Sequence, residues 1–269
     1  MLRLPAVAGQ FYPGNPRELS VLVEKYTKEE KPEEKVKARA CLVPHAGYVY
    51  SGNVAGAVFR RISLPRKILL LGVRHYPRGE ALAILSEGAW RTPLGDVPVE
   101  TPLATRLRKE CPALREDSVA HSREHSLEVE LPFLQVLDPG FSFVPVAVGT
   151  LRFQDLAETG EGIARALEET HEEILIVASS DMNHYEDDAT TRRKDRKAIE
   201  RMLELDAKGL YEVCRDEEIS MCGLGPAVTM LTAISRMGAQ KAELVRYATS
   251  GDVSRELDAV VGYAGMIFS

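Results

Sequence analysis

The chain has 269 residues, 45% of them hydrophobic, enough to bury a large core in a single domain spanning residues 1–269, and no linker-like stretch divides it. A net charge of −6 excludes a general nucleic-acid surface, no apolar run approaches the ~20 residues of a membrane span, and the first residues lack the apolar stretch of a signal peptide. Four cysteines (Cys41, Cys111, Cys214 and Cys222) form no CxxC pair and no tight framework, which fits a reducing, cytoplasmic setting.

In chain order, Ala6 to Gly14 reads as an extended arm ending in a Pro13-Gly14 turn. Pro16 to Lys28 has helical spacing, with Leu19, Leu22, Val23 and Tyr26 on one face, and the Lys/Glu/Pro run from Lys28 to Lys37 is a solvated loop. Ala38 to Val43 is a short strand that leads into Pro44-His45-Ala46-Gly47, and Val54 to Ile62 is helical. Lys67 to Val73 is a second buried strand, ending at His75, and Ala81 to Leu85 is a third. Trp90 to Val99, with Pro93, Gly95 and Pro98, predicts a hairpin-like excursion, followed by a surface helix over Pro102–Glu110. Ser126 is placed to cap a helix carrying Leu127, Leu131, Leu134 and Val136, with Pro132 as a kink inside it. Phe141–Val148 is a strand and Phe153–Glu169 a helix.

Ile174 to Ala178 is a branched apolar run of strand length that changes abruptly to Ser179-Ser180-Asp181-Met182-Asn183-His184. Helices follow over Thr191–Leu205, Ala207–Cys214 and Ala227–Met237, then strands over Ala242–Ala248 and Val260–Phe268. Strands that alternate with helices predict an α/β layered domain, a mainly parallel central sheet flanked by helices.

Three of the buried strands reach a histidine within a few residues of their ends: His45, His75 and His184. Side by side and parallel, they would bring three imidazoles to one sheet edge, where open α/β sheets bind ligands. Such a cluster suits zinc, copper, iron or nickel. Singly, each is more simply a hydrogen-bonded loop residue. Cys222 lies just before a helix opened by Gly225-Pro226; there a thiol can have a lowered pKa and act as ligand or nucleophile, although its spacing alone favours an ordinary buried thiol. Asp181 is placed to fix the tautomer of His184. Glu124-His125 could orient a ligand histidine, donate to a substrate or cap the following helix. His121 and His171 fall in charged stretches and read as solvated, and Cys41, Cys111 and Cys214 as structural. There is no HExxH, GxSxG or Walker-type loop, which argues against the commonest zinc proteases, serine hydrolases and NTPases.

Taken together the motifs resemble the Memo family. The matching pieces are Ala6-Val7-Ala8-Gly9 with Tyr12-Pro13, Pro44-His45-Ala46-Gly47-Tyr48 with Ser51-Gly52, and Gly72-Val73-Arg74-His75. Glu124-His125-Ser126 with Leu131-Pro132, Ser179-Ser180-Asp181 with His184, Met221-Cys222-Gly223 and Thr249-Ser250-Gly251-Asp252 complete the set. The resemblance implies a fold similar to class III extradiol dioxygenases, which hold non-haem iron(II) with two histidines and a carboxylate and use another histidine as base. Carried over, it implies His45 and His75 as metal ligands, His184 as the proton-moving residue, and Cys222 where the carboxylate would stand. A thiolate there favours copper(I) or zinc and sets ring cleavage in doubt. The cofactor implied is iron(II) or copper, with zinc possible. Family members are described as metal-binding redox proteins, and the animal protein as a phosphotyrosine-peptide binder. Microbial members are linked to a radical-SAM protein and an AMMECR-type protein.

Three functions are therefore expected in competition. The first is a metal-dependent oxidoreductase acting on an unknown small molecule. The second is a non-catalytic module that binds a peptide or small anion, with Arg74 meeting the anionic group. The third is a zinc hydrolase.

Overall fold

A computed structural model describes residues 1–28, 34–170 and 172–269. His171 and part of the charged Lys28–Lys37 run lie outside the described residues. In chain order the elements are β1 (Leu2–Arg3), α1 (Pro16–Thr27), β2 (Ala40–Val43), α2 (Tyr48–Phe59), β3 (Lys67–Val73), β4 (Leu82–Ile84), β5 (Ala89–Thr92), β6 (Gly95–Pro98), α3 (Thr101–Glu110) and β7 (Arg115–Glu116). A 3₁₀ turn over Glu128–Glu130 then leads into α4 (Leu131–Leu137). The remainder is β8 (Ser142–Val148), α5 (Phe153–Glu168), β9 (Ile174–Ser179), β10 (His184–Glu186), α6 (Asp188–Leu203), α7 (Ala207–Asp216), α8 (Leu224–Arg236), β11 (Ala242–Thr249), α9 (Gly251–Ser254) and β12 (Val260–Phe268).

The large sheet runs β10-β12-β2-β9-β3-β8-β4-β7, and β11 pairs with β12. It is mixed. Its centre, β2-β9-β3-β8, is parallel throughout, whereas β12 joins β2 and β4 joins β8 in antiparallel fashion. The centre is parallel because each of its strands is apolar on both faces and is covered by helices on both faces. Alternate residues divide between the layers. Leu42, Leu69, Leu71, Ile176 and Ala178 join the core under α3, α5, α6, α7 and α8. Cys41, Val43, Ile68, Leu70, Leu175 and Val177 join the core under α1, α2 and α4. Each fully buried aliphatic side chain stabilises the fold by about 1.5–3 kcal/mol. Leu70→Ala, in the middle of β3, would cost about 2–5 kcal/mol through the cavity it leaves.

One local expectation changes and another is borne out. Pro132 lies in the first turn of α4, where its missing N–H has no intrahelical partner to lose; it starts the helix rather than kinking it. The expected Trp90–Val99 excursion is a hairpin of β5 and β6, and β1 adds to β5 in parallel. This small sheet buries Trp90 under the guanidinium of Arg3, 4.3 Å from the ring centroid. Arg3 also forms a buried ion pair with Glu128, whose carboxylate accepts from Ala6 N, Val7 N and the Tyr12 hydroxyl. The N-terminal arm is thereby tied to the segment that precedes α4.

Candidate metal centre

The order β2-β9-β3 sets the chain ends that carry His45, His184 and His75 beside one another at the carboxyl edge of the parallel strands. His75 leaves β3, and its backbone N–H and ring Nδ1 lie 2.7 and 2.9 Å from the two oxygens of Glu124. Close approach makes this contact possible: a Cβ at Gly72 would meet Ser126 Oγ and Leu127, so glycine there lets the 124–127 segment lie against the end of β3. Burial alone would raise the Glu124 carboxyl. The hydrogen bond and charge of His75, with the Ser126 N–H, override it and hold Glu124 down at about 2.

His45 is buried just beyond β2. Its N–H donates to Asp181 Oδ1 at 2.8 Å, and its Nδ1 lies 2.8 Å from Ser179 Oγ. Burial, followed by the neighbouring histidines, pushes its pKa well down and keeps the ring neutral. His125 completes the group. It stacks on His75 with ring centroids 4.6 Å apart, stands edge-on to His45 at 5.5 Å, and is covered by Phe11 at 4.8 Å. Burial lowers its pKa to about 4. One ligand nitrogen from each of His45, His75 and His125 falls within 4.8 Å of the other two, so the three can hold a metal ion.

Cys222 Sγ lies 3.2 Å from His45 Nε2 and 3.3 Å from the donating Asp181 N–H. Gly223 permits this, because a Cβ there would collide with Ser180 and the Ser179 carbonyl. The lowered pKa expected of a cysteine before a helix does not occur. Burial, then Asp181, pushes the thiol up, and without a cation beside it the sulfur is protonated.

His184 lines the same cleft but is held differently. Its N–H donates to Ser220 Oγ at 2.8 Å, and its Nδ1 lies 2.9 Å from the Ser220 carbonyl. That carbonyl, not Asp181, fixes the ring with hydrogen on Nδ1, because a carbonyl only accepts. Asp181 instead serves the His45 backbone, and burial raises it to about 7. Asn183 secures Ser220 by accepting from both its N–H and its hydroxyl. Tyr185 follows in a left-handed conformation, φ 63°, with its side chain exposed at the mouth of the cleft. The cleft encloses about 610 Å³, and Phe11, Tyr185, Val261 and Tyr263 give it an apolar wall.

Other expectations are corrected. His121 is fully buried beside Trp90, not solvated, and burial lowers its pKa to about 4. Arg74 does not line the cleft; its Nη1 donates to the Gly79 carbonyl. Sequence reasoning missed Ser179 and Glu130 as supports of His45. The signal available was a pair of glutamates alternating with apolar residues in Leu127-Glu128-Val129-Glu130-Leu131, which places acid on a buried turn.

Fold and cluster together define an α/β protein with a histidine group able to hold a metal at the carboxyl edge of its parallel strands. The profile of the Memo-like protein family matches residues 3–267. A MEMO1 family protein of Methanopyrus kandleri is 41% identical over all of this chain and 99% of its own length. MEMO1 family proteins of Aquifex aeolicus (41%, 99% of each chain) and Methanocaldococcus jannaschii (38%, 99% of this chain and 98% of its own) are similar over the same extent. This chain belongs to the Memo-like family. A crystal structure of an uncharacterized Escherichia coli K12 protein shares the fold at 14% identity, with a TM-score of 0.56 over 86% of this chain and all of that one. Among the described residues no helix is long and apolar enough to cross a membrane.

Proposed function

We propose that this protein is a metal-dependent oxidoreductase-like protein. His45, His75 and His125 would hold iron(II) or copper, with Cys222 as a further donor, and a small organic molecule would occupy the adjoining cleft. The observation that carries this reading is how the two strand-end histidines are supported. His75 Nδ1 is engaged by Glu124 and His45 Nδ1 by Ser179, which leaves the Nε2 atoms as donors. Ligand histidines characteristically use one nitrogen for the metal and the other for such a partner. The donor set fits: imidazoles suit copper, iron and zinc, and a thiolate shifts the preference toward copper(I) and zinc.

When bound, such an ion supplies one-electron chemistry and polarises a coordinated substrate. The protein's own contribution is positional and acid–base. Burial lowers the pKa of His184, so its ring is neutral near pH 7. With hydrogen held on Nδ1 by Ser220, its Nε2 is free to take a proton from a molecule in the cleft. The apolar wall excludes water from one side of that molecule. The placement of Arg74 outside the cleft removes the feature that favoured an anion-binding module.

The test is metal analysis of protein purified without oxygen. Stoichiometric iron or copper is expected. Zinc alone would replace the redox reading with a hydrolytic one, and absence of metal from every preparation would end both. Alkylation of metal-free and metal-loaded protein, with the modified residue mapped, tests Cys222: protection on loading is expected. Equal modification in both states would leave a histidine-only site.

A further inference from the structure

We infer that Glu130, acting through Ser179, is the positioning residue that sets the ring tautomer of His45. A serine hydroxyl can donate or accept, so on its own it selects neither tautomer of a histidine it touches. Here the choice is removed. The Ser179 hydroxyl donates to Glu130 Oε1 at 3.0 Å. Its one proton is thereby committed away from His45, and an oxygen lone pair faces Nδ1 at 2.8 Å. Nδ1 must carry the hydrogen, and Nε2, the atom next to Cys222, must carry the lone pair.

The energetics of Glu130 support this role. It is fully buried, and its other oxygen, Oε2, has no hydrogen-bond partner among the described residues. A buried carboxyl with one partner costs stability, and an apolar side chain of similar size would fill the space more cheaply. Among the described residues the one bond it makes is the bond to Ser179. The two strand-end histidines are thus oriented by different means: His75 by direct contact with Glu124, His45 by a glutamate acting one hydroxyl away.

The purpose of the tautomer rests on the metal reading above, but the tautomer belongs to the metal-free protein and can be measured there. The experiment is nitrogen NMR of isotope-labelled histidine in the metal-free full chain near neutral pH, followed by zinc(II) titration against a competing chelator. The parent and the variants Glu130→Gln, Glu130→Leu and Ser179→Ala are compared. The parent is expected to show hydrogen on His45 Nδ1. Glu130→Gln, whose amide oxygen can still accept, should keep it. Glu130→Leu frees the hydroxyl to turn toward His45, and Ser179→Ala removes it. Both should shift His45 toward the Nε2–H form and weaken zinc binding about 10–100-fold.

Hydrogen on Nε2 in the parent would overturn the inference, as would an unchanged His45 signal in both Glu130→Leu and Ser179→Ala. Should Glu130→Leu fail to fold, Ser179→Ala, a loss of one oxygen, decides by the same spectrum. Expected tautomers without zinc binding in any variant would sink the metal reading and leave this inference standing. Equal zinc binding with an unmoved tautomer would do the reverse.

Discussion

Glu124 and Glu130 lie on one short stretch, are both fully buried, and each supports a histidine at the same sheet edge, yet their carboxyls are shifted in opposite directions. Glu124 collects His75 N–H, its ring Nδ1 and the Ser126 N–H, and its carboxyl is held at about 2. Among the described residues Glu130 receives the Ser179 hydroxyl alone, and burial pushes its carboxyl well above the usual range. Equal burial has opposite outcomes because the number of donors decides whether charge survives desolvation. One side of the site is therefore anchored by a carboxylate in direct contact and the other by a carboxyl acting through a hydroxyl.

That contrast can be broken most forcefully at Glu124. Glu124→Ala strands backbone N–H groups of His75 and Ser126 and should destabilise the metal-free protein by about 3–5 kcal/mol, read by denaturant unfolding. A cost near zero would mean that the ionised anchor is no anchor. Next in size is an acid effect at His121, which, like Glu130, is fully buried. Burial lowers its pKa from 6.5 to about 4, so the unfolded chain binds the proton first as pH falls. Its contribution is complete above about pH 6.5 and is lost as pH drops toward 4, about 3 kcal/mol in all. His121→Gln should flatten that part of the stability profile; an unchanged slope would show that His121 is not the group that titrates.

A smaller effect is expected at His75. Its side chain is partly exposed and its backbone N–H to Glu124 survives truncation, so His75→Ala should abolish metal binding while shifting metal-free stability by only about 1 kcal/mol. Collapse of the metal-free variant would make the histidine structural. Smallest is Glu130→Gln, which keeps an acceptor oxygen for the Ser179 hydroxyl and should cost less than about 1 kcal/mol. The same exchange at Glu124 removes a charge that three donors require, so equal costs at the two positions would erase the contrast.

Much of this centre is legible in the sequence because strands buried on both faces are continuous apolar runs. Lys67–Val73 emerges with the predicted bounds, and β2, β9 and β3 are neighbours, so His45, His184 and His75 come to one edge as expected. What lies between residues 121 and 130 is not legible in the same way. Polar spacing there reads as surface, yet His121, Glu124, Glu128 and Glu130 are all buried. Their inward direction is set by partners far away in the chain: Arg3 and Tyr12 for Glu128, Ser179 for Glu130, and His75 for Glu124. Hydropathy registers whether a residue favours water and carries no record of a distant donor. The same limit applies at Asp181. Its proximity to His184 in the chain suggested a pairing that Ser220, brought in from the loop between α7 and α8, makes instead.

Tyr185 carries a consequence for directed evolution of this protein. A bulky residue at φ 63° stores about 1–2 kcal/mol that glycine would not. A library selected purely for heat resistance should therefore find Tyr185→Gly early and discard an aromatic ring from the rim of the cleft. Selection for turnover, once a substrate is in hand, should resist that replacement. The position thus offers a dial on which thermostability and occupancy of the cleft can be read against each other.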